Sequence, residues 1–198
     1  GAAELAFSSY YRSFFSNKSF SKIRIASARA GNVIGGGDWA ENRIVPDCIK
    51  AWVKNSTVKI KSPNSTRPFQ HVLEPLSGYI FLASQLNVDD SISGQAFNFG
   101  PSSNANYKVI EVVKKLSKSW SNSKWEIVKN EKTFYESKLL KLNCDKALSL
   151  INWQPTLDFE NTMRFTSEWY YNFYNEKDTN IYEKCCNQIS EFTKKMQT

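Results

Sequence analysis

The chain has 198 residues, 41% of them hydrophobic, which is enough to bury a sizeable core in one domain or in part of a larger one. Its 26 basic and 19 acidic residues give a net charge of +7, but the lysines are scattered, so we expect no nucleic-acid partner. No apolar run reaches the roughly 18–20 residues of a membrane span, and no secretion signal opens the chain, so we expect no membrane partner.

The first elements show helical and strand-like patterns. Apolar residues recur at helical spacing from Ala2, and Gly1 offers no capping side chain, so we expect the chain to start inside a helix, with part of a longer protein preceding it. A strand is predicted over 22–28 and a helix over 45–53. Another short strand is predicted over 58–61, before a turn.

The middle of the chain continues this alternation. Pro75 is predicted to open a helix, one face of which carries the apolar residues Leu76, Tyr79, Ile80, Ala83 and Leu86. A strand over 96–99 is expected to end at Gly100. An amphipathic helix is predicted over 109–120, and further strands over 125–128 and 139–142.

The last part of the chain is predicted to be helical. Asp158 is the expected cap of a long helix, and the polar tail after Asn175 has a weak apolar stripe that predicts a loosely packed helix. Alternating strands and helices predict the α/β fold class.

The cysteines and the single histidine argue against metal and disulfide chemistry. The chain contains no C-x-x-C motif, and Cys48, Cys144, Cys185 and Cys186 have only His71 as a possible co-ligand. We therefore expect no metal site and a reducing, cytoplasmic location. His71 has no recognisable nucleophile partner, and we interpret it as a hydrogen-bonded structural residue.

Two features are candidates for ligand binding. Four of the eight glycines lie within residues 31–37, directly after a predicted strand, where open α/β sheets bind their ligands. A plain turn between strand and helix explains the same pattern equally well. Arg67 follows a turn, so it could bind a phosphate with both arms of its guanidinium, although a surface ion pair is the commoner role.

Four segments resemble a known family. They are residues 28–40 (ARAGNVIGGGDWA), 67–79 (RPFQHVLEPLSGY), 97–101 (FNFGP) and 140–147 (LKLNCDKA). In this order they resemble motifs of the extended short-chain dehydrogenases/reductases that act on nucleotide sugars, and in particular of the CDP-glucose 4,6-dehydratases. The resemblance runs from Gly1 to about Tyr174.

The resemblance implies a fold and a domain division. The expected architecture is the C-terminal part of a Rossmann-type doubly wound parallel sheet plus a smaller α/β domain that binds the nucleotide sugar. The sheet domain would contain residues 1–37 and 69–101, and the second domain residues 38–68 and 102–175. Residues 176–198 would form a C-terminal tail.

The resemblance also implies an activity. In this family, bound NAD takes a hydride from C4 of the glucose of CDP-glucose, water is eliminated across C5–C6, and the hydride returns to C6, a step in deoxysugar and surface-polysaccharide biosynthesis. The family's catalytic Tyr and Lys come just before the position of Gly1, so we expect no catalytic residue in this chain, no activity of the chain by itself, and a homodimer as the full-length protein.

The resemblance also implies a set of site residues. The residues expected to line the cofactor are Arg29, Ala30, Gly31 and Val33. The residues expected to bind the nucleotide sugar are Asn32, Arg43, Ile44, Val58, Ile60, Lys61, Arg67 and Lys138. Asn32 would hydrogen-bond the diphosphate or the sugar, and Arg67 would contact the diphosphate. Val58, Ile60 and Lys61 would surround the base.

The chain departs from the family in two places. The loop over 135–143 lacks the family's His and Tyr, and Lys138 could supply a substitute cation. Asn152 replaces a turn glycine, and Asn tolerates the positive φ that such a turn needs. Two other functions stay open: a different nucleotide-sugar epimerase or reductase, and a non-catalytic nucleotide-binding fragment.

Overall fold

The computed structural model describes residues 1–17, 22–102, 105–128, 141–176 and 180–197. The strands are β1 (Ser27–Ala30), β2 (Asn32–Ile34), β3 (Thr57–Ile60), β4 (Thr66–Arg67), β5 (Phe69–His71), β6 (Ala96–Phe99), β7 (Tyr107–Lys108) and β8 (Lys124–Ile127). The helices are α1 (Ala2–Tyr10), which a π-helical turn prolongs, α2 (Ile44–Val53), α3 (Leu73–Val88), α4 (Val109–Ser117), α5 (Asp145–Ile151), α6 (Phe159–Asn175) and α7 (Ile181–Met196). This confirms the α/β class.

The described strands form four pairs. Three are parallel, namely β1 with β6, β2 with β5 and β3 with β8, and the short pair of β4 with β7 is antiparallel. Because β1 and β2 are separated only by Gly31, one stretch of backbone leaves the first pair and joins the second at this glycine. A Cβ on Gly31 would lie 2.9 Å from the carbonyl oxygen of Pro68, so the crossing is too close for a side chain.

Two strand predictions differ from the structure. Of the strand predicted over 22–28, only Ser27 and Ala28 lie in β1, which continues to Ala30, because its partner β6 begins at Ala96, opposite Ser27. In the strand predicted over 139–142, residues 139 and 140 lie outside the described part of the chain, and Lys141 and Leu142 are not in a strand. The strands predicted over 58–61, 96–99 and 125–128 are present within one residue.

Two main cores lie on either side of the Gly31 crossing. The larger one packs α2, α4 and α6 around β3, and its buried residues include Ile49, Trp52, Val113 and Tyr170. The second one packs α3 and α5 against β6, with Phe97 and Phe99 fully buried. Helix α5 belongs to the stretch predicted for the sugar-binding domain, yet it packs on β6, which was predicted for the sheet domain.

The helix ends follow the expected local chemistry. The Asp158 carboxylate accepts a hydrogen bond of 2.8 Å from the Asn161 amide and caps α6, as predicted. Asn152 ends α5 in the left-handed conformation, with φ of 53°, which confirms the turn. The tail forms α7, which packs on α6 through Phe192 and Gln188.

The apolar stripe predicted for α3 is present, but most of it lies on the surface, and only Leu86 is partly buried against the second core. Ile80 is 71% exposed, Leu76 is 46% exposed and Tyr79 is 38% exposed. The opposite face is buried instead, because Gly78 leaves room for the Phe99 ring, 2.2 Å from where a Cβ would lie. Among the helices of the described ranges, none is both long and apolar enough to cross a membrane.

Candidate functional site

A cavity of about 560 Å³ opens beside the Gly31 crossing. It lies beyond the carboxyl end of β1 and along β2, where ligands bind in open α/β sheets. Its wall is formed by residues from five separate stretches: Ala30–Ile34, Asp38 and Asn42–Pro46, Arg67–Phe69, Val109, and Leu142. Four of these stretches include strand residues or the start of a helix, and Leu142 lies in neither.

The charged groups of this cavity favour an anion. Its charged lining residues are Asp38, Arg43 and Arg67, which sum to one positive charge. The guanidinium of Arg43 donates to the Asp38 carboxylate at 3.1 Å. Arg67 is placed by the β4–β7 pair, opposite Tyr107, and its Nη1 donates to the Thr66 carbonyl at 2.8 Å. Two guanidinium groups on one cavity fit the oxygens of a phosphate or diphosphate.

Polar groups from the backbone add to this preference. Asn32 begins β2 and is exposed to the cavity. Helix α2 begins at Ile44, and Ile44, Val45 and Pro46 of its first turn line the wall; of these three residues, Ile44 and Val45 carry an amide N–H. The N-terminus of a helix carries a partial positive charge that favours anions.

The glycine-rich loop is anchored from the far end of the chain. Tyr170 on α6 is fully buried, and its hydroxyl donates to the Asp38 carbonyl at 2.7 Å and accepts from the Asp38 amide at 3.2 Å. Burial raises the pKa of the Tyr170 hydroxyl, which therefore stays protonated at neutral pH. The Asp38 carboxylate also accepts from the Ala40 amide at 2.9 Å. Asp38 thus connects the interior with Arg43.

Gly36 packs on a tryptophan and does not face the cavity. A Cβ at Gly36 would lie 2.0 Å from the Trp169 indole, and the indole Nε1 in turn donates to Cys185 Sγ at 3.3 Å. The next residue, Gly37, has a φ of +80°, which L side chains rarely adopt. This part of the loop therefore needs glycine for close packing and for a left-handed turn.

The structure brings most of the predicted site residues together. Ala30, Gly31, Asn32 and Val33, together with Arg43, Ile44 and Arg67, all line the cavity. Nothing in the local pattern indicates Val109 or Leu142, because tertiary packing alone brings them to the wall. Asn42 adopts a left-handed φ of 61°, and its residue type is the signal that the sequence offers, because Asn tolerates this conformation better than most residues.

Other predicted residues lie elsewhere. Val58 and Ile60 are buried in the larger core, and Lys61 is exposed just after β3; none of the three lines the cavity. The Arg29 side chain bonds Glu4 on α1 at 2.7 Å, and together with Ser27 it lowers the pKa of Glu4 to about 2. Lys138 lies outside the described residues.

His71 is a buried structural residue, as the sequence predicts. It is 2% exposed, and burial lowers the pKa of its imidazole to about 4, so the ring is neutral at pH 7. Its Nδ1 accepts from the Leu73 amide at 3.4 Å. Glu74, three residues further along the chain, is equally buried, and its carboxylate accepts hydrogen bonds from the amides of Thr156 and Leu157. Both residues lie away from the cavity wall.

Comparison with known proteins finds a curated relative of similar sequence. CDP-glucose 4,6-dehydratase of Salmonella typhimurium is 36% identical over 194 residues, which are 97% of this chain and 54% of that protein. The chain therefore spans about half the length of this relative. No protein-family model matches the chain.

Solved structures share the fold. UDP-glucuronic acid 4-epimerase from Bacillus cereus, in complex with UDP-glucuronic acid and NAD, superposes with a TM-score of 0.70 at 18% identity, over 87% of this chain and 51% of that chain. dTDP-glucose 4,6-dehydratase from Bacillus anthracis, in complex with NAD, gives a TM-score of 0.67 at 16% identity, over 89% of this chain and 51% of that chain. Identities this low establish the fold alone. The chain has the α/β fold that these epimerases and dehydratases share, and by its sequence it is a relative of CDP-glucose 4,6-dehydratase.

Proposed function

We propose that the protein containing this chain converts CDP-glucose to its 4-keto-6-deoxy form, and that this chain supplies a large part of the nucleotide-sugar site. The observation that carries the proposal is the cavity beside Gly31, which collects Asn32, Arg43 and Arg67 from three separate stretches of the chain. The sequence similarity to CDP-glucose 4,6-dehydratase supports this substrate over other nucleotide sugars.

The chain's part in this reaction is to bind and orient. Arg43 and Arg67 bind the diphosphate with charge-assisted hydrogen bonds, and Asn32 and the first amides of α2 complete its surroundings. The diphosphate does not react, so its binding energy serves to hold the sugar in a reactive position. Ile44, Val45 and Phe69 supply an apolar wall that excludes water from one side of the ligand.

The cofactor of this reaction would be NAD, and this chain would supply only part of the surface that binds it. Ala30, Gly31 and Val33 present backbone at the carboxyl end of a parallel strand, a suitable surface for a flat ring. The chain contains no G-x-G-x-x-G segment to hold the pyrophosphate of the cofactor, so the remaining contacts would come from residues outside this sequence. When bound, NAD supplies a temporary acceptor for hydride.

The assembly and location are part of the same proposal. Leu5, Tyr10 and Phe14 are exposed apolar residues on α1 and its π-helical extension, a surface suited to the homodimer that we propose for the full-length protein. All four cysteines are free thiols, which is compatible with the reducing cytoplasm.

The test is product analysis with the full-length protein. CDP-glucose is incubated with NAD and the enzyme, and the sugar product is identified by NMR. We expect a 4-keto-6-deoxy sugar. An intact sugar inverted at C4 would favour the rival function of epimerase, which the fold of the Bacillus cereus enzyme supports. Turnover of UDP-glucose in preference to CDP-glucose would contradict cytosine as the nucleotide base of the proposed substrate.

A further inference from the structure

The cavity-facing Arg43 is connected to the interior by a short series of polar contacts. Its guanidinium donates to the Asp38 carboxylate, and Asp38 is held through both of its backbone groups by the Tyr170 hydroxyl. Tyr170 is 132 residues further along the chain and lies on α6, in the larger core. Arg43 itself is mostly exposed, so packing alone does not orient its side chain.

The Tyr170 hydroxyl holds Asp38 in a way that an apolar ring could not. It donates to the carbonyl and accepts from the amide of the same residue, which restrains the peptide planes on both sides of the Asp38 Cα. The ring is fixed in turn, since the Trp39 and Trp169 rings lie 5.2 and 5.4 Å from it. A phenylalanine would fill the same space but leave both backbone groups of Asp38 without this partner.

We propose that Tyr170 is a positioning residue for anion binding: it fixes Asp38, and Asp38 fixes the guanidinium of Arg43 at the cavity. This role rests on the proposed function, in that the anion is the diphosphate of a nucleotide sugar. Tyr170 does not line the cavity and acts only through Asp38 and Arg43. Pre-orienting a long side chain reduces the entropy that it loses when it binds a ligand.

The first measurement compares Tyr170→Phe with Tyr171→Phe in the full-length protein. Tyr171 is the neighbouring residue on α6, is exposed, and contacts Trp120 instead of the loop. Calorimetric titration with CDP-glucose should show a dissociation constant raised roughly three- to tenfold in Tyr170→Phe, because the Arg43 side chain would then have to be ordered when the ligand binds. Tyr171→Phe should bind like the wild type. Unchanged affinity in Tyr170→Phe overturns the proposal.

A double-mutant cycle separates positioning from general stability. Arg43→Gln removes the group that Tyr170 is proposed to position, so adding Tyr170→Phe to this variant should change the dissociation constant by less than about twofold. If Tyr170→Phe weakens binding equally in both backgrounds, its role is merely structural and the proposal is wrong. Amide hydrogen exchange over residues 37–43, without ligand, should be faster in Tyr170→Phe only.

A second probe distinguishes failure of this inference from failure of the proposed function. The same titrations are made with inorganic pyrophosphate, which shares only the diphosphate. If the wild type binds pyrophosphate but not CDP-glucose, the proposed function fails and the pyrophosphate titrations decide the role of Tyr170. If the wild type binds neither, the cavity is not a diphosphate site and both proposals are wrong.

Discussion

At the scale of single residues, two arginines of the candidate site line the cavity from different elements. Arg43 comes from the start of α2 and is held by Asp38, whereas Arg67 comes from the short β4–β7 pair. The sequence predicts Arg67 from its place after a turn, and the family resemblance implies both arginines. The sequence cannot predict that Val58 and Ile60 turn into the core, because alternation along a strand does not tell which side faces a ligand.

Arg67→Ala should weaken the binding of CDP-glucose while leaving NAD binding nearly intact. A charge-assisted hydrogen bond contributes on the order of 1.5–3 kcal/mol, so we expect a dissociation constant raised roughly tenfold or more. The two ligands are titrated separately into the full-length protein. Arg12→Ala, an exposed arginine on the extension of α1, is the matched control and should bind both ligands normally. Normal affinity for CDP-glucose in Arg67→Ala would remove Arg67 from the site.

Gly36→Ala should destabilise the protein through a clash with Trp169. The added Cβ would lie 2.0 Å from the indole, and overpacking of this kind costs about 1–3 kcal/mol. We expect Gly36→Ala to lower the melting temperature of the wild type, and to lower that of the Trp169→Leu variant by less. Gly1→Ala, where a Cβ meets nothing within 4 Å, serves as control. If Gly36→Ala lowers the melting temperature equally in the wild type and in Trp169→Leu, the clash is not with Trp169.

At the scale of elements, helix α3 shows what periodicity can and cannot predict. The apolar stripe with Tyr79 and Ile80 correctly predicts a helix, but the face that is buried in this chain contains Gly78 and Leu82. The Phe99 ring determines which face of α3 is buried, because it occupies the space beside Gly78 that a side chain there would fill. A pattern of side chains identifies the apolar stripe but not the neighbour that covers it.

The junction of β5 and α3 should give a pH dependence of stability with two opposing contributions. Burial raises the pKa of Glu74 from 4.5 to about 7. Between these values the folded protein holds a proton that the unfolded chain releases, so the free energy of unfolding falls as pH rises. The pKa of His71 is lowered from 6.5 to about 4. Between pH 4 and 6.5 the unfolded chain therefore binds a proton that the folded protein does not, so the free energy of unfolding rises with pH.

Replacing Glu74 by Gln should remove one of these two contributions. Relative to the wild type, Glu74→Gln should become progressively more stable between pH 4.5 and 7, which urea unfolding at several pH values can measure. Glu183→Gln, at an exposed position on α7, should follow the wild type over this range. A constant difference between Glu74→Gln and wild type would show that Glu74 titrates normally in the folded protein.

At the scale of the whole molecule, the chain carries apolar surface that is unusual for an independent domain. Leu5, Ile80 and Val88 are each more than 70% exposed, and β1 is paired on one edge only within the described residues. Exposed apolar patches and open strand edges favour association with other chains. The chain also spans about half the length of its relative.

The 198-residue chain expressed by itself should therefore fold poorly and lack dehydratase activity. We expect low solubility, binding of an apolar dye and a broad melting transition, in contrast to the full-length protein. Incubation with CDP-glucose and NAD should yield no 4-keto-6-deoxy sugar. A soluble monomer with a sharp, cooperative transition would contradict the first expectation, and product formation the second.

The position of the cavity has a further consequence for how the protein holds together. Its wall is assembled from stretches around residues 31, 43, 67, 109 and 142, which belong to both sides of the Gly31 crossing. A ligand that touches all of them binds only when they are correctly assembled, so its binding free energy adds to the free energy of unfolding, by about 2.7 kcal/mol at a concentration one hundred times its dissociation constant. Such a ligand would hold the stretches of the wall together for as long as it stays bound, and cells that are depleted of it would contain a more easily unfolded and more easily degraded protein.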